Sequence, residues 1–198
     1  IYGGSDQTVV GTTISGRNIP VNDIESSVGL YINTLPLIVD HRIGDDGIVW
    51  RKSIIESIRG VQDNINEINI RSEISLAKLQ KDGGRLFDTL FVFENYPDFL
   101  GQSEEESRLK IDFKYGIEKI DYPLGVIAYE GKEELIFKLN YAGELFTEGR
   151  IKDLLQIVGR LLGQIVNNHE GTVSTLDYLP EQEHEKIVHE WNNTDKDY

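Results

Sequence analysis

The 198-residue chain contains no cysteine and no methionine. Without cysteine there is no disulfide, no thiolate nucleophile and no Cys-ligated zinc. That absence fits a reducing compartment, and a cytoplasmic location is the expectation. No stretch approaches the roughly 18 consecutive apolar residues of a membrane-spanning helix, so no membrane partner is expected. Positive charge is scarce: 20 Lys+Arg stand against 34 Asp+Glu, a formal net charge of −14. No basic cluster interrupts that field, so phosphate backbones are repelled and no nucleic-acid partner is expected. The chain opens Ile1-Tyr2-Gly3-Gly4, with neither an initiator nor the apolar segment of a signal peptide, and reads as cut from a longer polypeptide. What remains is ordinary for a packed chain: 39% hydrophobic and 27% charged residues, too apolar for disorder.

Residue patterns predict mixed strands and helices. Residues 8–14 are β-branched and short, a strand closed by the loop Gly16-Arg17-Asn18-Ile19-Pro20. The nearly continuous apolar run 28–39 predicts a strand covered on both faces, with Pro36 marking an irregularity or a sheet edge. Ile54, Ile55, Ile58, Val61, Ile65 and Ile68 recur at helical spacing within 50–68. A shorter helix carries Leu76 and Leu79 and stops at Gly83-Gly84. Residues 86–93 form an aromatic-rich strand in which Phe91 and Phe93, with Tyr96 just beyond, read as core and Asp88 as a polar group satisfying backbone donors. Further strands are expected at 110–120, 124–130 and 134–141, the last two joined by a hairpin turn at Glu130-Gly131-Lys132-Glu133. The broad apolar stripe of 148–168, capped by Thr147, is the clearest helix. A strand-like piece beyond Gly171, an acidic helix 181–190 and a polar tail follow. The fold class is therefore an α/β sandwich with a mixed or largely antiparallel sheet.

Chemical motifs are thin. His41-Arg42-Ile43-Gly44-Asp45-Asp46-Gly47 approaches the HHxxxDG of chloramphenicol-acetyltransferase-type acyltransferases, but position 40 is Asp40 and an extra Asp46 precedes the glycine. It reads as a strand exit and an Asp-Gly turn, so no catalytic residue is assigned. His184 and Glu185 are neighbours and point apart on a helix, which leaves no metal site. Gly3-Gly4 and Gly83-Gly84 lack the residues of a phosphate loop, and no serine sits in a nucleophile elbow.

The order of several unusual strings carries more. Gly11-Thr12-Thr13-Ile14-Ser15-Gly16-Arg17, then Val28-Gly29-Leu30-Tyr31-Ile32-Asn33-Thr34-Leu35-Pro36, then Leu86-Phe87-Asp88-Thr89-Leu90-Phe91-Val92-Phe93-Glu94-Asn95-Tyr96-Pro97, and finally Trp191-Asn192-Asn193-Thr194 occur in sequence. Together they resemble the carboxy-terminal half of a nonribosomal peptide synthetase condensation domain. The resemblance spans nearly the whole chain: 1–180 as the carboxy-terminal subdomain and 181–198 as the connector to an adenylation domain. Two departures stand out. Residues 70–76 lack the family's His and Pro, and Ile38 stands where the family has Arg.

The resemblance implies one lobe of the chloramphenicol-acetyltransferase-like (CoA-dependent acyltransferase) fold. It also implies peptide-bond formation between a donor thioester and an acceptor aminoacyl thioester on carrier domains. Phosphopantetheine would be carried by those partners and not bound directly. The missing amino-terminal subdomain, which bears HHxxxDG, and the adenylation domain would be the other partners, and the isolated chain would be inactive. A non-catalytic docking lobe, or part of an epimerization or ester-forming domain, are the alternatives. Substrate-tunnel candidates are Ser15, Gly16, Arg17, Asn33 and Thr34. The Asn33 amide suits orienting an acyl or amine group, or capping a strand irregularity beside Pro36. Gly16 permits close backbone approach, and Arg17 suits a carboxylate or phosphate, or a solvated surface turn.

Overall fold

Among the described residues, β-branched and aromatic stretches form five strands and two longer apolar stripes form helices. The computed structural model describes residues 7–17, 21–24, 26–40, 52–80, 83–94, 119–131 and 133–179. In order these hold β1 (Gln7–Ile14), β2 (Asn33–Asp40), α1 (Ile54–Ile70), α2 (Leu76–Leu79), β3 (Thr89–Glu94), β4 (Leu124–Glu130), β5 (Leu135–Tyr141) and α3 (Glu148–Asn167). Two compact units divide the chain, one made of 7–39 and 64–146, the other of 1–6, 40–63 and 147–198.

The first unit carries the sheet, ordered β2-β1-β3-β4-β5. β1, β3 and β4 run parallel, with Gly11 opposite Leu90 and Thr89 opposite Leu124, and β5 returns antiparallel to β4. The hairpin between them closes with Gly131 N donating to Glu134 O at 2.7 Å. Pro36 has no N–H to give a ladder, and β2 lies at the sheet edge, where that omission is tolerated. Ile14, Leu35, Phe87, Ile127 and Ala128 are buried here. Phe87 stacks on Tyr122 with ring centroids 5.1 Å apart, and its ring fills the space that a side chain at Gly11 would need.

The second unit holds α3 and the start of α1. Every N–H at the α1 N-terminus has a partner, which removes it as an anion site. Ser53 N donates to the Glu56 carboxylate at 2.9 Å and Glu56 N donates to Ser53 Oγ at 3.2 Å, a reciprocal capping box. Ile54 N donates to Gly171 O at 2.8 Å and Ile55 N to His169 O at 3.2 Å. Thr147 caps α3, its side chain accepting from Arg150 N.

The Ser53 backbone N–H, then the Ser53 hydroxyl, hold the Glu56 carboxyl below its ordinary pKa. A depressed carboxyl contributes stability above its unfolded pKa and loses it as pH falls through the folded value. Glu56 is fully exposed, so the effect is local. Amide exchange at Ser53, corrected for intrinsic rate, is expected to accelerate below the usual glutamate range, and Glu56→Gln to abolish that pH dependence. The same pH profile in both proteins would refute the assignment.

Several expectations are corrected. The apolar run 28–39 is not one covered strand: β2 starts at Asn33, while Val28 is 100% and Leu30 91% exposed. The aromatic strand starts at Thr89, which leaves Phe87 as the buried ring and Phe93 half exposed. Asp88 is an exposed residue ahead of β3, and it is its backbone carbonyl that serves, accepting from Leu124 N. Beyond Gly171 the chain forms a 3-10 turn at Val173–Thr175 with one bridge, Ser53 to Thr172, not a strand. The 41–47 string, Tyr96, residues 110–118 and the helix and tail from 181 lie outside the described residues.

Candidate functional site

β1 ends at Ile14 and delivers Ser15, Gly16 and Arg17 to the loop that leads into β2. Gly16 adopts φ 64°, the left-handed region that favours glycine. The Tyr31 carbonyl packs where a Gly16 side chain would begin. Ser15 is exposed, and its Oγ accepts from Arg17 N at 3.3 Å. The Arg17 guanidinium turns back on its own loop. It donates to Ile24 O at 2.6 Å, Ser27 O at 2.9 Å and Gly29 O at 3.5 Å, and lies 4.5 Å from the Tyr31 ring centroid. The Tyr31 hydroxyl bonds Ser27 Oγ. These contacts order a loop whose apolar residues Val28, Leu30 and Ile32 all face solvent.

Asn33 opens β2 and uses both ends of its amide within the chain. Its Nδ2 donates to Ser72 O at 2.8 Å and to Ile74 O at 2.7 Å, while Oδ1 accepts from Thr34 N at 2.8 Å. Asn33 and Thr34 are therefore fastened to the turn joining α1 and α2. The same turn forms one wall of an open groove of about 290 Å3, with residues 35–38 of the edge strand opposite and Ile68, Arg71, Ile74 and Leu79 among its lining. The groove is mainly apolar, with Arg71 and Glu67 supplying charge of each sign.

The five candidates thus fall into two clusters of the sheet-bearing unit. Gly16 and Arg17 meet Tyr31, with Ser15 bonded to Arg17 N, whereas Asn33 meets Ser72 and Ile74 and holds Thr34 N. Sequence reading missed Tyr31, Ser72 and Ile74 as their partners. Only Tyr31 carried a signal, an aromatic within the apolar run. Among the described residues no three His, Cys, Asp or Glu side chains converge as a metal site, and no helix is long and apolar enough to cross a membrane.

Residues 1–188 match the family model of the condensation domain. The chain belongs to the condensation domain family. N-(5-amino-5-carboxypentanoyl)-L-cysteinyl-D-valine synthase of Amycolatopsis lactamdurans is 40% identical over 99% of this chain and 5% of that synthase. Bacitracin synthase 3 of Bacillus licheniformis is 30% identical over 100% of this chain and 3% of that synthase. The chain thus spans a twentieth or less of the length of these relatives. Among solved structures, a four-domain nonribosomal peptide synthetase bound to AMP and glycine superposes with a TM-score of 0.72 at 16% identity, covering 90% of this chain and 14% of that one. The first condensation domain of the CDA synthetase gives 0.62 at 15% identity, covering 90% and 39%. The condensation-domain fold, a mixed sheet with helices, is therefore shared, and the loop held by Arg17 and the Asn33 clamp belong to a chain of the condensation domain family.

Proposed function

We propose that the chain is the carboxy-terminal lobe of a condensation domain in a nonribosomal peptide synthetase. In this reading the acceptor amine attacks the donor thioester carbonyl. A C–N bond forms, the C–S bond breaks, and the amine proton ends on the departing thiol. Both thioesters arrive on phosphopantetheine arms of carrier domains, in the cytoplasm. The HHxxxDG histidine belongs to the other lobe, and an adenylation domain follows residue 198.

The observation that carries the reading is the loop of residues 26–32, with Ile24 before it. Hydrogen bonds and a stacked guanidinium hold its backbone, yet Val28 and Leu30 are almost wholly exposed. An ordered loop that displays apolar side chains is suited to a partner surface. Ser15, Gly16, Arg17, Asn33 and Thr34 shape the floor of the tunnel on this side by fixing backbone, and the chemistry is supplied from the other lobe. A scaffold reading without catalysis draws on the Asn33 amide, already satisfied within the chain.

The isolated chain, mixed with donor- and acceptor-loaded carriers, is expected to give no dipeptide above the spontaneous rate. The two-lobe parent is expected to give it under the same conditions. Turnover by the isolated chain that a boiled control lacks would overturn the half-site reading. A two-lobe parent that folds and loads but never condenses would favour the scaffold.

A further inference from the structure

Asp177 is exposed, and every polar group it has is bonded. The Gln164 side chain reads its backbone as a paired strand would: Asp177 N donates to Gln164 Oε1 at 2.9 Å, and Gln164 Nε2 donates to Asp177 O at 2.7 Å. Arg160, one turn earlier on α3, donates through Nε to the same carbonyl at 3.1 Å and through Nη2 to Asp177 Oδ2 at 3.2 Å. The remaining carboxylate oxygen, Oδ1, accepts from Leu179 N at 2.9 Å and turns the chain. All of these groups lie in one compact unit.

Exposed bonds of this kind contribute little to global stability, because water competes for each and long side chains lose rotamer freedom. Their concentration on one residue defines direction instead. A side-chain amide that matches both N–H and C=O of a backbone residue fixes its rotation about the chain axis, and the Asx turn to Leu179 fixes the next step.

We propose that Arg160 and Gln164 are positioning residues that clasp Asp177 and set the course of the chain as it leaves α3 toward the next domain. This rests on the reading above, in which an adenylation domain follows. The clasp would couple the lobe to that domain, so that the acceptor carrier beyond it is delivered over a restricted range of orientations.

The test uses the multidomain parent carrying Arg160→Ala with Gln164→Ala. Lys152→Ala serves as control, because it breaks the exposed Lys152–Glu148 pair elsewhere on α3. Amide exchange at Asp177 and Leu179 is expected to accelerate up to about tenfold in the double variant, the ratio for one net hydrogen bond, with α3 amides unchanged. Distance distributions between spin labels on the lobe and the adenylation domain are expected to broaden. Peptide formation with the carrier tethered in cis is expected to fall several-fold, whereas formation from free-standing carriers in trans stays constant. Unchanged exchange at both amides, or distances and cis rates matching the Lys152→Ala control, overturns the clasp. A wild-type parent that makes no peptide from either source overturns the functional reading instead, and exchange and distances still decide the clasp.

Discussion

Replacing Asn33 with alanine is expected to lower stability and, in the two-lobe protein proposed above, peptide formation together. The substitution removes two donors and one acceptor at once, leaving Ser72 O, Ile74 O and Thr34 N without their partner. At a net 0.5–1.5 kcal/mol for each bond, the loss is about 2–4 kcal/mol, read as a lowered melting temperature. Asn33→Asp sharpens the test. It keeps the shape and the acceptor for Thr34 N, but cannot donate and sets a charge against two carbonyl oxygens, so it is expected to be at least as damaging. Calorimetry paired with a single-turnover assay separates folding from chemistry. If Asn33→Ala melts like wild type and condenses many-fold more slowly, the amide acts on substrate and the clamp is not its main role.

The second large effect is expected at Gly16. A side chain there meets two obstacles: the left-handed backbone at φ 64° and the Tyr31 carbonyl oxygen, which is backbone and has no rotamer to move. The first costs about 1–2 kcal/mol. The second forces the chain near Tyr31 to shift and with it the ring under Arg17, for a total of about 2–4 kcal/mol. Gly83 supplies the internal comparison. Its φ is 72°, and nothing lies within 4 Å of the position a Cβ would take, so Gly83→Ala carries the backbone strain alone. Chemical denaturation of the two variants should differ by the Tyr31 clash. Equal losses would mean that the loop yields freely and that Arg17 does not hold it.

The parts of the fold that were legible in the sequence are those that depend on near neighbours. Thr147 caps α3 because its partner is Arg150, one turn away, and Gly131 closes a hairpin between strands adjacent in sequence. Pro36 pointed to a sheet edge because its missing N–H is a property of the residue itself. The clamp on Asn33 was not legible: its acceptors are backbone carbonyls of Ser72 and Ile74, groups every residue carries, brought near by the path of α1. For the same reason nothing in the sequence turned Arg17 toward its own loop. Residues 28–32 misled in another way. Their hydrophobicity states that they avoid water, but not whether the cover is the chain's own core or another body, and Val28 and Leu30 find no cover here. Gly11 and Phe87 were both visible, but their fit across the sheet was not.

The pairing of the α1 N-terminus with Gly171 and His169 has a consequence for how the chain folds as it is made. The donors of the first helical turn wait for carbonyls that the ribosome adds only after the five described strands and α3. Closing so long a span is an entropic cost met late, so the start of α1 remains unsealed until the segment through Gly171 has been made. A chimaera that joins residues 1–146 of one synthetase to the remainder of another therefore splits this seal between two parents. Grafts that carry residues 52–56 and 169–173 together keep the first helical turn with the carbonyls that close it.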